Sequence, residues 1–123
     1  MKSSFKGIDR LAIITDFSWN NCISIIGFRF FNNKNEFFGD ETIFETTIIY
    51  QGNNNNYKII ANFINIESLQ ILVDHREIQL DLFSITDIRE DGWCTLNYWV
   101  KDIESEDISF YCNDIEIISV EQI

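Results

Sequence analysis

Proline is absent from all 123 residues, where average usage would be about 5%. Glycine occurs five times, at positions 7, 27, 39, 52 and 92, and never in a cluster. That scatter excludes a glycine-rich phosphate loop. Turns must then be made mostly by Asn and Asp, which tolerate left-handed backbone and bond their own main chain. There is one histidine, His75, and only three cysteines, Cys22, Cys94 and Cys112, all widely spaced. This set is neither a disulfide framework nor a zinc pattern. It also offers no base–nucleophile pair for a catalytic triad. A Cys94–Cys112 pair across neighbouring strands is sterically conceivable, but free thiols acting as small buried hydrophobes are expected. No apolar run approaches the roughly 20 residues of a membrane span. Leu11–Ile14 is too short for a signal-peptide core, and Asn-X-Ser/Thr sites are missing despite abundant Asn. The expected setting is a soluble, reducing cytoplasm.

What is present is apolar and acidic. The chain is 46% hydrophobic and 15% aromatic, with eleven Phe, which excludes disorder and predicts one folded domain over residues 1–123. The net charge is −11 and unevenly placed. Through Val73, seven acids meet six bases; from Asp74 onward, thirteen acids meet only Arg76, Arg89 and Lys101. The second half therefore carries −10 of the total. Such a field repels nucleic-acid backbones and anionic membranes, and it attracts basic partners. Acidity also serves to keep an aromatic-rich domain in solution.

Turn formers divide the chain into short β-rich runs. Strands are predicted over Arg10–Phe17 and Cys22–Phe31, with turns at Ser18–Asn21 and Asn32–Asn35. Thr42–Tyr50 and Tyr57–Asn65 flank Gln-Gly-Asn-Asn-Asn-Asn, the clearest hairpin signal in the protein. Ile66–Val73 fits either a helical stripe or an alternating strand, and the strand is favoured. A charged turn at Asp74–Glu77 precedes a half-buried strand from Ile78 to about Ile88 with Ile78, Leu80 and Leu82 on one face. Asp91–Gly92 marks a tight hairpin turn. Trp93–Lys101 places Cys94, Leu96, Tyr98 and Val100 together; Asp102–Asp107 is an acidic turn. Ile108–Cys112 pairs back, Asn113–Asp114 turns, and Ile115–Val120 ends the pattern. Eight to nine short strands without a long helix predict an all-β antiparallel sandwich or barrel, largely a meander.

Catalytic constellations are wanting. His75 lies in a charged turn, and a zinc or iron site would need more His or Cys in register. The adjacent pairs Asp40/Glu41, Glu90/Asp91 and Glu106/Asp107 point in different directions, whereas glycoside hydrolysis needs two carboxyls facing across a cleft. Asp102–Asp107 has calcium-type ligands but neither the glycine nor the spacing of an EF-hand. No catalytic residue, metal or cofactor is assigned.

The aromatic residues Trp93, Tyr98, Trp99, Phe110 and Tyr111 fall on two strands expected to pair. Period two sets Trp93 and Trp99 opposite Tyr98. One face is core; the other is either buried as well or a surface presenting Trp93, Trp99 and Tyr111. In the second case Asp102, Glu104, Glu106, Asp107 and Asp114 form its acidic rim. Aromatics within a polar rim are typical of a protein-binding hot spot, and the same surface suits stacking on sugar rings.

Three patterns in this third of the chain carry a resemblance. They are D-x-x-x-x-G-W (Asp87 to Trp93), Y-x-V-x-D-x-E (Tyr98 to Glu104) and I-x-F-x-C (Ile108 to Cys112). Over that third the chain resembles small acidic bacterial β proteins, among them the immunity proteins of toxin systems. The resemblance implies a non-enzymatic, antitoxin-like protein that neutralises a basic toxin domain through its acidic second half. The alternative is a carbohydrate- or small-molecule-binding β module.

Overall fold

A computed structural model describes residues 5–35, 39–73, 76–89 and 96–123. Among them are nine strands: β1 (Cys22–Asn35), β2 (Gly39–Gln51), β3 (Asn56–Ile64), β4 (Glu67–Ile71), β5 (Ile78–Gln79), β6 (Phe83–Asp87), β7 (Tyr98–Asp102), β8 (Ile108–Cys112) and β9 (Asp114–Gln122). They form two antiparallel sheets in the orders β5-β1-β2-β3-β9 and β4-β8-β7-β6. The architecture is a sandwich and not a closed barrel. Each sheet contains a three-strand meander, and β9 crosses from the smaller sheet to lie beside β3.

The predicted hairpin forms with Tyr50 opposite Tyr57 and Ile43 opposite Ile64. Gly52 N–H bonds the Asn55 carbonyl to close its four-residue loop. Strict alternation along both arms sends Phe44, Ile48, Tyr50, Tyr57, Ile59, Ala61 and Phe63 inward. From the other sheet Phe83, Tyr98, Val100, Ile108, Phe110 and Cys112 meet them. Phe110 sits edge-on to both Phe44 and Phe63, at centroid separations of 5.5 and 5.0 Å, a favoured aromatic geometry.

The strand predicted over Arg10–Phe17 is not one. Residues Ile8–Ile13 form a 3-10 turn, and Trp19–Asn21 form another. The physical reason is spacing: Leu11 and Ile14, three apart, are buried, while Ile8 and Ile13 face solvent. Gly7 sets the entry with φ +73°, and a Cβ there would collide with the Ile117 carbonyl oxygen. Phe5, Phe17 and Trp19 then plug one end of the sandwich against Tyr98, Tyr50 and Phe83.

Two further expectations are corrected. Asn32–Asn35 is not a turn but the end of β1, in register with Gly39–Thr42 of β2. The strand predicted from Ile78 to Ile88 breaks into β5 and β6, because Asp81 and Leu82 hydrogen-bond a side chain instead of a strand. The inward face shifts phase there: Ile78 and Leu80 are buried, then Phe83 rather than Leu82. β4 confirms the strand at Glu67–Ile71. The Asp91–Gly92 turn, His75 and Cys94 lie outside the described residues. Cys112 and Cys22 are buried free thiols. No helix among the described residues is long and apolar enough to cross a membrane.

Candidate functional site

The outward face of the smaller sheet is built from alternate residues of its strands. Cross-strand register aligns Thr86, Trp99, Tyr111 and Glu67 in one row. Ser84, Lys101, Ser109 and Gln70 make the next. Trp99 is thus neither core nor free: it is half-buried and held on several sides. Its ring stacks on Tyr111 at 5.5 Å and 17°, and its Nε1 donates to Ser109 Oγ at 3.2 Å. Lys101 Nζ lies 3.6 Å from the indole centroid, a cation–π contact. Tyr98 points the other way, into the core, as period two requires.

This face opens into a shallow groove of about 270 Å³ lined by Gln70, Trp99, Lys101, Ile103, Glu106 and Ser109. The groove leads to the β7–β8 connection, residues 103 to 107, whose shape is dictated by Asp102. That side chain is not on the predicted rim: it is only 2% exposed. Period two explains why, since Asp102 continues the inward face of Tyr98 and Val100. Its Oδ1 accepts from the backbone N–H of Glu104 (3.1 Å), Ser105 (2.8 Å) and Leu82 (3.1 Å). Its Oδ2 accepts from Asp81 N–H at 2.7 Å and Leu82 N–H at 3.0 Å. A buried carboxylate is tolerable only with such partners, and here four backbone donors supply them.

The connection is further tied on both flanks. Ser105 Oγ donates to the Gln79 carbonyl and accepts from Asp107 N–H. Leu72 N–H donates to the Asp107 carbonyl, and Ile103 N–H to the Leu82 carbonyl. Instead of a loose solvated turn, the acidic stretch is a pinned platform.

Around it lie features that the sequence reading missed. Leu72, Val73 and Ile103 are 62%, 47% and 49% exposed, and all three belong to this end of the sheet. Ile103 was legible, because it continues the outward alternation Trp99, Lys101, Ile103. Leu72 and Val73 carried no signal, since an apolar residue beyond a short strand is normally expected to pack. Exposed Glu104 and Glu106 and half-buried Asp107 surround these side chains, with Asp81 exposed across the Asp102 knot. Among the described residues no base forms an ion pair with any of the four. On the larger sheet Arg29 pairs with Glu45 at 2.9 Å and Lys58 with Glu121 at 3.0 Å.

Of the residues predicted as a site, Trp99 and Tyr111 stack on each other, Trp99 and Glu106 line one groove, and Glu104 and Asp107 lie with Glu106 on the β7–β8 connection. Asp114 is apart from them. It starts β9 at the far end of β8, roughly 20 Å along the extended chain from Asp107, and caps Ile115 N–H. Trp93 lies outside the described residues.

Burial pushes the Cys22 thiol well above its ordinary value. At Cys112 burial does the same, and the nearby Asp114 carboxylate adds to it, so both thiols stay protonated at neutral pH. Among the described residues no three His, Cys, Asp or Glu side chains gather closely enough to hold a metal ion. Compared with protein-family models, with curated proteins and with solved structures, the chain finds no match in any of the three.

Proposed function

We propose that this chain is a non-enzymatic protein-binding domain that docks a basic partner on the acidic end of its smaller sheet, most concretely an immunity protein masking a basic toxin domain. One observation carries the proposal. The carboxylates of Asp81, Glu104, Glu106 and Asp107, which form no ion pair among the described residues, surround exposed Leu72, Val73 and Ile103 on a platform held by Asp102. Apolar contacts inside a charged rim suit the division of labour at interfaces, where buried groups hold and rim charges steer. A platform already ordered before binding loses little conformational entropy when a partner arrives. The carbohydrate alternative is less well served, because Lys101 and Tyr111 already occupy the indole that a sugar would stack on.

The test is affinity capture at low salt from lysate of the source organism, using wild type and Leu72→Ser/Ile103→Ser in parallel. Wild type should retain a basic protein that salt releases, and the double variant should lose most of it. Equal capture by both proteins, or a shift in melting temperature with a glycan and none with protein partners, would reject the proposal.

A further inference from the structure

The larger sheet has an edge that its own chain leaves open. β1 is 14 residues long and pairs with β2 along almost all of it, from Cys22 to Asn35. On its other side β5 covers only Ser24 and Ile25. Among the described residues nothing pairs with that edge from Gly27 to Asn35, and this stretch is the regular part of the strand. The bulges lie before it, between Cys22 and Ser24 and between Ile25 and Gly27. Backbone donors and acceptors along such an edge form a template for another strand.

The side chains make the edge adhesive. Phe28 and Phe30 stand opposite Thr46 and Phe44, on the face of β1 that continues the core. Both nevertheless face solvent, at 42% and 55% exposure, so the apolar face runs past the region that the smaller sheet covers. Charge leaves this edge open to a second copy. A second copy carrying −11 is repelled from most of this molecule, but β1 contains no acid at all and two bases, Arg29 and Lys34. An antiparallel two-fold pairing centred on Phe30 or Phe31 places neither base opposite a base. It also gathers Phe28 and Phe30 of both copies on one face.

We infer that this chain self-associates into a two-fold dimer by antiparallel pairing of β1 with β1 of a second copy. The size fits a weak association. Taking about 200 Å² for a phenylalanine, the exposed parts of Phe28 and Phe30 from two copies offer about 400 Å² of apolar surface. Edge backbone and flanking side chains bring the total to about 1,000 Å², the lower end for specific interfaces. The pairing uses the edge of the larger sheet and the proposed partner uses the smaller sheet, so each is tested by its own experiment.

Sedimentation equilibrium from about 5 to 500 μM tests it, with a dissociation constant expected between about 1 and 100 μM. Added salt should tighten the dimer several-fold by screening the repulsion between two −11 chains, the reverse of its effect on a basic partner. Phe30→Glu should abolish the dimer, and Phe30→Ser should weaken it at least tenfold, with melting temperatures confirming that each variant is folded. On wild type alone, hydrogen exchange should slow for amides between residues 27 and 34 as concentration rises. A wild type monomeric at 500 μM overturns the inference and leaves the edge to a strand from an unrelated chain. A dimer that survives Phe30→Glu, or whose protected amides lie elsewhere, overturns it as well.

Discussion

Asp102→Ala is the substitution that most sharply separates a solvated acidic turn from a built platform. It removes one carboxylate and strands the backbone N–H groups of Asp81, Leu82, Glu104 and Ser105. A buried donor left without an acceptor costs about 1–3 kcal/mol. These four donors are only partly buried, so water recovers part of that cost once the connection opens. The net loss should be about 3 kcal/mol, a large share of the ~5–15 kcal/mol by which a domain is stable. For a chain of this size that lowers the melting temperature by about 10 °C. Glu106→Ala, which removes an exposed acid just beyond the knot's Ser105, should stay within about 0.5 kcal/mol. The assay is a thermal melt with amide hydrogen exchange on both variants. Exchange should accelerate at residues 81, 82, 104 and 105 in the Asp102 variant and not in the other. If Asp102→Ala melts within about 2 °C of wild type with those amides unchanged, the knot does not organise this end of the sheet.

Two other expectations follow from the packing. Because the folded Cys22 and Cys112 thiols ionise far above the unfolded value of about 8.5, the protons they retain stabilise the fold fully below that pH. Above it, unfolded thiols ionise while folded ones do not, so stability should fall by about 1.4 kcal/mol per pH unit for each thiol. Urea titrations between pH 8.5 and 10 should show that slope, and Cys22→Ala should remove one thiol's share of it. At Gly7, substitution by Ala demands a positive φ and drives a Cβ into the Ile117 carbonyl. A loss of at least ~2 kcal/mol in chemical denaturation is expected, with Phe5 and Trp19 losing their fixed packing; a neutral effect would contradict the close approach.

Local pattern revealed much of the sandwich. The Thr42–Tyr50 and Tyr57–Asn65 arms, Ile108–Cys112 and Ile115–Val120 all carry alternation or β-branched runs that tertiary packing had no reason to override. Arg10–Phe17 misled because its composition is that of a strand while its buried positions, Leu11 and Ile14, follow a period of three. The break after Gln79 was not legible locally, since its cause is a carboxylate twenty residues away in sequence. That carboxylate did leave a trace: Asp102 falls on the inward phase of Tyr98 and Val100, an anomaly for a charged residue. Neither the exposure of Phe28 and Phe30 nor that of Leu72 and Val73 could be read from the chain. Both depend on where one sheet stops covering the other, a global property that no window of residues contains.

Calorimetric titration of the captured basic protein against two forms of this chain measures what the acidic platform does. Wild type is compared with Glu104→Gln/Glu106→Gln/Asp107→Asn, at low and at high salt. Wild type should bind tightly and weaken at least tenfold between about 50 and about 500 mM salt, and the variant should be weaker at low salt and nearly insensitive to it. Equal affinities for the two forms, with the same salt dependence, would contradict the proposal.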